Sequence, residues 1–428
     1  MTRPIEYVSG GNRSRWIVVP AGFLFVILVW APYSGLATFF PLLAEDLGTQ
    51  RGTIAIAFTI IIAIGAPFGV VIGRLLDGPW AHRVALLEVL LCGLGYLLAS
   101  TMQSIWQLYV YLGFLLGAGF AGGYIIPTTV VARWFEDKRG LAVGVVLSGT
   151  GVGYLVGPLV AVNLMQGFGW RGALAIFGSI ASLLAILPAL MLRNPPSATA
   201  AQPAALSGTT SQQADGRGSA HSGSGPGLRE ALGTSTFWML FVVWVLQALP
   251  IMMFTIHVVP LIVDKGIGIT AAAGALSLYG AGILCGRILS GQAADRFGGR
   301  STLVLTTAIA AASLVLLLVT QDLTLLYASS IAFGFASSGA DTAYVKILPD
   351  IVGTRALGTV LSGVSFGWRL GGGIGPALAG FLFDATHIYA LPVGLAVFGL
   401  LVSILLFLWA SRPEQRLAHV LERNGARG

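Results

Sequence analysis

The sequence predicts an all-α membrane protein of twelve transmembrane helices, arranged as two related six-helix bundles with both termini cytoplasmic. Three observations support this prediction: the scarcity of charge, the length of the apolar segments, and a set of landmarks repeated at one spacing. Charged residues make up only 10% of the 428 positions, and hydrophobic residues make up 56%. A soluble domain has about 25% charged residues, so lipid must surround most of this chain.

The apolar segments have the length of membrane-spanning helices. A continuous run of about 20 apolar residues crosses a bilayer as a helix, whereas strands of a membrane barrel alternate apolar and polar residues. The runs here are continuous, so they predict helices. The predicted spans are 16–43, 52–76, 83–102, 105–132, 139–166, 170–193, 235–263, 270–294, 301–320, 323–347, 355–384 and 389–411.

A segment rich in Ser, Gly, Ala, Gln and Pro separates the two sets of six spans. This composition is typical of a disordered tether without chemistry of its own. The predicted organisation is a first half at 1–193, a cytoplasmic linker at 194–230, a second half at 231–411 and a cytoplasmic tail at 412–428.

Landmarks repeated at an offset of 218 residues relate the two halves. Gly73 and Asp77 end the second span, as Gly291 and Asp295 end the eighth. Parallel repeats about an axis along the membrane normal would produce this spacing. Gly-Pro pairs share the offset, and we interpret them as helix kinks because proline removes a backbone donor. These pairs are Gly157-Pro158 and Gly375-Pro376.

The basic residues set the predicted orientation. With a cytoplasmic N-terminus, 19 of the 24 lysines and arginines fall on cytoplasmic segments, and only Arg51, Arg171 and Lys265 fall on the opposite side. This bias places both termini inside. It also explains the net charge of +7 without nucleic acid as a partner. Arginine outnumbers lysine 21 to 3, which favours a GC-rich bacterial genome and therefore the bacterial inner membrane.

Other classes of function lack their sequence signals. Cys92 and Cys285 both lie inside apolar spans, so neither a disulfide nor a metal framework is indicated. The first apolar run is too long for a cleavable signal peptide. The chain has no P-loop and no nucleophile–base set. We therefore expect neither an enzyme nor a cofactor, and we expect transport to be driven by gradients.

The pattern Gly-x-x-x-Asp-Arg-x-Gly-x-Arg, from Gly291 to Arg300, resembles the cytoplasmic signature of the major facilitator superfamily. Its first copy is degenerate after Asp77. Small glycines let helices approach closely, and the aspartate can accept hydrogen bonds from a neighbouring helix end. We interpret the two copies as a conformational latch formed by Gly73, Asp77, Gly291, Asp295, Arg296 and Arg300.

A narrower resemblance lies between Arg133 and Gly144, in the sequence Arg-Trp-Phe-Glu-Asp-Lys-Arg-Gly-Leu-Ala-Val-Gly. It is similar to the fifth-helix signature of the monocarboxylate porter family, whose bacterial members include lactate, pyruvate and oxalate–formate carriers. The His-Val-Val-Pro sequence at 257–260 also looks like members of that group. The resemblance implies a secondary transporter of a small organic carboxylate that works by alternating access.

Two arginines within the predicted spans are candidates for binding this substrate. An ionisable residue at mid-bilayer costs roughly 2.5–3.5 kcal/mol on insertion scales, so its presence calls for a partner or a function. Arg287 suits a carboxylate because guanidinium binds one through two hydrogen bonds; the alternative is an ion pair with Asp341. Arg369 is a second candidate cation, or a packing residue near the kink. The resembled carriers have a substrate-binding arginine on the eighth helix, and the oxalate–formate carriers have a second cation on the eleventh.

Asp341 and His257 are the candidates for proton coupling. Asp341 could neutralise Arg287 or carry a proton, and His257 could titrate near neutrality or bond to a kinked backbone. Animal proton-coupled relatives have an aspartate one turn before the eighth-helix arginine, where this chain has Ile283. Proton symport and anion exchange therefore both stay open. A further acidic residue, Glu88, is expected to snorkel or pair near its helix end.

Three tyrosines complete the predicted site. Each presents an apolar ring and one hydroxyl, which suits a small organic acid; interfacial or packing roles are the alternative. They are Tyr33, Tyr124 and Tyr344, on the first, fourth and tenth spans.

The sequence thus favours a monomeric carrier whose partners are an organic acid, the lipid bilayer, and a proton or counter-anion. Two rivals remain on the same fold. One is an exporter of drugs or hydrophobic cations, which would prefer an acidic cavity. The other is a non-transporting membrane sensor, which would normally need an output domain.

Overall fold

The computed structural model describes residues 11–135, 138–195, 232–352 and 357–412, and these ranges are helical apart from short connections. Most of the predicted linker and tail lies outside the described residues. The α-helices are α1 Gly11–Asp46, α2 Arg51–Leu76, α3 Ala81–Ala99, α4 Ile105–Leu108, α5 Gly117–Phe120, α6 Ile125–Trp134, α7 Arg139–Met191, α8 Ser235–Asp264, α9 Ile269–Phe297, α10 Gly299–Val319, α11 Leu323–Val352, α12 Leu357–Thr386 and α13 Ala390–Ala410.

Ten helical segments of the described residues are long and apolar enough to cross a membrane. One of them, α7, runs for 53 residues and is interrupted at Gly169, where φ is 67° and glycine is favoured. The two parts of α7 correspond to the predicted fifth and sixth spans. A further 30-residue helix, α12, corresponds to the eleventh. The arrangement is consistent with twelve spans.

The fourth span is irregular. It begins with α4, continues as a π-helix at Tyr109–Leu116, passes through α5, and turns at residues 121–124 before α6 begins. A π-helix is rare and is frequently found at functional sites. This break lies in the middle of the first half and brings a turn into the membrane interior.

The repeat seen in the sequence is also a repeat of contacts. In the first half, a Cβ placed on Gly149 would lie 2.8 Å from the carbonyl oxygen of Phe23 on α1. In the second half, a Cβ placed on Gly367 would lie 2.6 Å from the carbonyl oxygen of Phe241 on α8. Both members of the second contact are 218 residues after those of the first. Backbone-to-backbone packing of this kind requires small residues, so the two halves share one internal architecture.

The buried cores show how the halves meet. We call the side where α1 begins and α13 ends the termini side, and the opposite side the far side. On the termini side, each half has a separate core drawn from its own residues. On the far side, Ala37 and Tyr154 of the first half belong to the same core as Met253 and Leu276 of the second. The halves are therefore joined on the far side and separate on the termini side.

Large apolar side chains cover the outside of the helices. Leu87 and Leu94 on α3 and Leu183 and Leu187 on α7 are each about half exposed or more. A soluble protein rarely shows apolar patches of this extent. They face lipid, as expected from the composition.

Candidate functional site between the two halves

Two seams connect the halves from the far side as far as the middle of the helices. In the first, α2 packs against α12, and the hydroxyl of Thr59 donates to the carbonyl oxygen of Gly373 at 2.6 Å. In the second, α7 packs against α9, where a Cβ on Gly151 would lie 3.1 Å from the carbonyl oxygen of Gly280. Between these seams α1 packs against α8, and on the far side the ring of Phe40 lies 5.1 Å from that of His257.

Each seam contains one of the two predicted arginines. Arg287 on α9 crosses to the first half, where its Nη1 donates to the carbonyl oxygen of Leu147 at 3.2 Å. Arg369 on α12 also crosses, and its Nη1 and Nη2 lie 3.6 Å from a Cβ placed on Gly65 and Gly69 respectively. The structure therefore places both arginines at contacts between the halves but on different seams, and it does not bring them together.

Asp341 lies within electrostatic range of Arg287 and near Tyr279. The four ion pairs among the described residues include none of Arg287, Arg369 and Asp341. The predicted alternative, a direct Arg287–Asp341 pair, is therefore not formed in this conformation. The guanidinium of Arg287 therefore keeps donors that no carboxylate of a described residue uses.

Aromatic side chains from both halves pack together between the seams. We call this set the aromatic cluster: Trp30, Tyr33, Phe120, Tyr154, Phe254, Tyr279 and Phe333. Tyr33 stacks on Phe120 with ring centroids 4.5 Å apart and planes inclined by 20°. Tyr154 and Tyr279 meet edge to face across the halves at 5.4 Å.

The aromatic cluster contains polar atoms without partners. The indole nitrogen of Trp30 and the hydroxyl oxygen of Tyr154 are buried, and neither has a described partner in good hydrogen-bond geometry, although the side chain of Thr255 lies next to the Tyr154 hydroxyl. Buried polar groups are normally satisfied, so these two donors are available to a bound acceptor. Sequence reasoning found Tyr33 but missed the other members, because aromatic residues in apolar helices usually serve packing alone.

The other two predicted tyrosines lie elsewhere. Tyr344 is 1% exposed and donates its hydroxyl to the carbonyl oxygen of Leu240 at 2.9 Å, packed against Trp244 in the termini-side core of the second half. This is the packing role that was the alternative for this residue. Tyr124 is half-buried on the turn before α6, and its carbonyl accepts a bond from the hydroxyl of Thr128.

A network on the far side joins the halves, and we call it the far-side gate. Arg51 of α2 donates to both carboxylate oxygens of Asp264 at 2.6 and 2.7 Å, and to the hydroxyl of Tyr389 at 3.0 Å. Its guanidinium lies 4.1 Å from the ring centroid of Phe383. The backbone N–H of Arg51 and that of the next residue donate to the two carboxylate oxygens of Asp384. One arginine of the first half is thus held by three polar residues and an aromatic ring of the second.

His257 belongs to this gate. Its Nδ1 lies 3.1 Å from the hydroxyl of Tyr389, and its Nε2 lies 2.9 Å from the carbonyl oxygen of Pro376. The ring is 2% exposed. The sequence alternative was a bond to the kinked backbone near Pro250 or Pro260 on the same helix, whereas the backbone partner in the structure is Pro376 on α12. Both ring nitrogens are occupied, so His257 is a structural link between Tyr389 and α12 in this conformation.

Comparisons with known proteins agree with this architecture. The family model of the Major Facilitator Superfamily matches residues 22–292 and 258–426. The chain belongs to the major facilitator superfamily. Rat monocarboxylate transporter 13 is 28% identical over 377 residues, covering 87% of this chain and 83% of that protein. Mouse monocarboxylate transporter 12 is 27% identical over 419 residues, covering 91% and 84%. The protein is therefore a multi-pass membrane transporter related to these carriers.

Solved structures of the superfamily share the fold. A bacterial homologue of the human lysosomal transporter Spinster, solved in an inward-facing and occupied conformation, has a TM-score of 0.71 at 17% identity, covering 94% of this chain and 98% of that one. The same homologue in an inward-facing and unoccupied conformation has a TM-score of 0.68 at 16% identity, covering 98% and 99%.

The superfamily signature residues contact their own halves in this structure. Asp77 pairs with Arg133 at 2.8 Å, and Asp295 pairs with Lys346. In both halves the aspartate thus binds a basic residue at the end of a neighbouring helix. Two other latch residues also contact their own half, since the guanidinium of Arg296 lies over the ring of Phe297 and that of Arg300 donates to the carbonyl oxygen of Leu408. Gly73 and Gly291 have open space around them. A latch across the halves is therefore not engaged here and stays a prediction.

The Gly-Pro pairs lie where inner helices pack most closely. A Cβ on Gly157 would collide with the carbonyl of Ala31, and one on Gly375 would lie 2.5 Å from that of Leu249. Helices α7 and α12 continue through Pro158 and Pro376. No group of three or more possible metal-ligating side chains occurs within the described part of the chain.

Proposed function

We propose that the protein is a secondary carrier of small organic carboxylates that works by alternating access, with Arg287 as the residue that binds the carboxylate. The observation that carries this proposal is a guanidinium inside a membrane transporter whose one hydrogen bond to a described residue goes to a neutral carbonyl, that of Leu147. A charge that is partly withdrawn from water is stabilised by pairing or by solvation, so this half-buried arginine suits an anionic ligand. The relatives named as monocarboxylate transporters support the same class of substrate.

The surroundings of Arg287 also favour an organic acid. Tyr279 lies within electrostatic range of Arg287, and the aromatic cluster extends from it into the first half. Carboxylate oxygens would bind Arg287, while the unpartnered donors of Trp30 and Tyr154 would face the rest of the molecule. A ring or short carbon chain would then contact aromatic faces, which bind apolar groups well.

The drug-exporter alternative has less support. A carrier of hydrophobic cations needs acidic side chains to neutralise its substrate, whereas the contacts between the halves here contain two arginines, Arg287 and Arg369, and Asp341 near the first of them. Arg369 would bind a second carboxylate, or the far end of a polar acid, in a conformation that brings the two seams closer. Proton symport and anion exchange are both compatible with this site.

Alternating access would proceed from the conformation described here. The far-side gate is closed and the halves diverge toward the termini side, so the acid would enter or leave on that side. Rotation of one half against the other would engage the latch and release the gate. A location in the bacterial inner membrane with cytoplasmic termini is part of this proposal.

Substrate counterflow in liposomes tests the proposal. Liposomes that contain the purified protein are loaded with unlabelled acetate, lactate, oxalate or benzoate. Uptake of the same acid in labelled form is then measured. We expect at least one acid to show counterflow, and Arg287→Ala to reduce it by 100-fold or more, because a charged hydrogen-bonding partner is worth about 1.5–3 kcal/mol per bond and tenfold corresponds to 1.4 kcal/mol.

Matched variants make the result specific. Arg171→Ala removes another arginine, whose partner Asp46 lies 2.8 Å away within the first half, and it should leave counterflow intact. Arg287→Lys retains the charge but not the paired geometry and should retain a small part of the activity. If Arg287→Ala transports the acids as well as the unaltered protein, the proposed site is wrong. If hydrophobic cations and no acid are exchanged, the exporter reading replaces the proposal.

A further inference from the structure

Glu88 of α3 is an acidic residue buried inside the first half, away from both seams. It is only 2% exposed. The sequence predicts that it snorkels to the helix end or pairs near Arg83, and both expectations are wrong. Its Oε1 accepts the backbone N–H of Gly122, and its Oε2 is buried without a hydrogen-bond partner.

The surroundings of Glu88 contain no counter-charge. The helices packed against α3 are α2, α7 and the successive parts of the fourth span. Among the described residues of these elements, no lysine, arginine, histidine or second carboxyl acts on Glu88, and the one titratable neighbour is the thiol of Cys92 on α3 itself. An ionised carboxylate in this position would cost several kcal/mol. A carboxylic acid would cost far less, because its charge is removed.

The hydrogen bond of Glu88 reaches the break in the fourth span. Gly122 lies in the turn at residues 121–124, and a Cβ on it would collide with the Glu88 carboxylate. One turn earlier, a Cβ on Gly119 would lie 2.7 Å from the backbone nitrogen of Cys92. The backbones of the broken fourth span and of α3 thus pack directly against each other around Glu88. This fit requires glycine at both positions.

The same turn supports the aromatic cluster. Phe120 immediately precedes it and stacks on Tyr33 at 4.5 Å, while Tyr124 ends it. A change in the Glu88–Gly122 bond would therefore move a ring of the candidate substrate site. Glu88 itself does not touch that site, so its influence would pass through the turn.

We propose that Glu88 is the proton-binding site that couples transport to a proton gradient. In the opposite conformation the turn at 121–124 moves, water from the far side reaches Oε2, and Oε2 takes up one proton. In the conformation described here Oε2 holds that proton, which then leaves with the acid to the solution on the termini side. One proton is bound and one is released in each cycle, and no other reactant is needed. This inference rests on the proposed carboxylate transport and selects proton symport from its two modes.

The test separates proton coupling from carrier activity. Liposomes containing the purified protein and the pH dye pyranine are given labelled lactate or benzoate, with and without an inward proton gradient. Glu88→Gln keeps the size of the side chain and its bond to Gly122 but cannot exchange a proton. We expect it to lose gradient-driven accumulation by at least tenfold, and to lose internal acidification, while counterflow at equal pH stays within about twofold.

Two further variants exclude simpler explanations. Glu45→Gln removes an exposed acid on the far side and should leave proton coupling unchanged. Glu88→Asp keeps an ionisable group with a shorter reach and should retain acidification at a reduced rate, which a purely structural role for Glu88 would not produce.

The outcomes that would overturn the inference are distinct from those that affect the carrier. Acidification that persists in Glu88→Gln refutes Glu88 as the coupling site. Counterflow without any acidification in the unaltered protein also refutes it, and leaves the carboxylate carrier standing as an anion exchanger. A lack of counterflow with every acid refutes both proposals. If Glu88→Gln does not fold, a Glu88→Asp protein that acidifies at a reduced rate while retaining counterflow supports the assignment, and one that acidifies at the full rate contradicts it.

Discussion

Arg51→Ala removes the side chain that joins the two halves in the far-side gate. The substitution takes away a paired hydrogen bond to Asp264, a bond to Tyr389 and the contact with the ring of Phe383. The side chain of Arg51 is 19% exposed and that of Asp264 is 34% exposed. The interaction is therefore neither a surface ion pair nor a fully buried one.

The free energy lost in Arg51→Ala follows from this partial exposure of the ion pair. Exposed ion pairs contribute less than about 1 kcal/mol, and breaking a buried pair costs about 3–5 kcal/mol. A partly screened pair with a second bond and an aromatic contact worth about 0.5–1 kcal/mol should total about 2–3 kcal/mol. Because tenfold corresponds to 1.4 kcal/mol, the loss shifts the balance between far-side-closed and far-side-open conformations by roughly 30- to 150-fold.

Spin-label distance measurements can detect this shift. Labels at Glu45 and Gln321, exposed positions on the far side of opposite halves, would report a longer distance in Arg51→Ala. The background would be Cys285→Ser, because Cys285 is exposed and Cys92 is buried.

Arg171→Ala is the matched control for the gate, because its ion pair with Asp46 lies on the same side but within one half. It should leave the distance unchanged. If Arg51→Ala gives the same distance distribution as the unaltered protein, the network does not hold the far side closed. Exchanging the partners, as Arg51→Asp with Asp264→Arg, should restore part of the short-distance population.

Two further predictions concern packing and the aromatic cluster. Gly375→Ala should destabilise the protein by about 1–3 kcal/mol, because the added Cβ would meet the backbone of Leu249. Gly394 has open space around it, so the control Gly394→Ala should leave the unfolding temperature unchanged. Equal unfolding temperatures for the two variants would refute the close contact at Gly375. Tyr154→Phe removes a buried hydroxyl without a partner in good geometry, so the unfolding temperature should hold or rise. The half-saturating acid concentration should increase about three- to tenfold, because the bound acid loses a hydrogen-bond donor. A lower unfolding temperature would mean that the hydroxyl already makes a hydrogen bond within the protein.

The spans and the repeat could be predicted because both are local properties of the sequence. Apolar run length sets the helices, and the spacing of glycines survives in the fold as matching contacts, such as those of Gly149 and Gly367. The two arginines predicted inside the membrane, Arg287 and Arg369, each contact the opposite half in the structure. Their separation on two seams was not predictable, because it depends on which helices pack together.

The gate and the environment of Glu88 depend on contacts between distant segments. Arg51, Arg171 and Lys265 looked like exceptions to the charge bias of the sequence. In the structure Arg51 and Arg171 bind aspartates, and Lys265 donates to two backbone carbonyls, so each exception has a structural use. Glu88 was misjudged because its sequence distance from the helix end is short, while its burial depends on a break in the fourth span that no residue pattern indicated.

If Arg287 binds the acid as proposed, its bond to the carbonyl of Leu147 makes the carboxylate a competitor of the protein's own backbone. A carboxylate that takes both terminal nitrogens of the guanidinium displaces a carbonyl belonging to the opposite half. Binding of the acid and closure of the α7–α9 seam are then coupled equilibria. The bound acid weakens the seam by the same factor by which the closed seam weakens acid binding. A change that loosens the α7–α9 contact should therefore tighten acid binding, so the ligand would act as a wedge that frees one half to turn against the other.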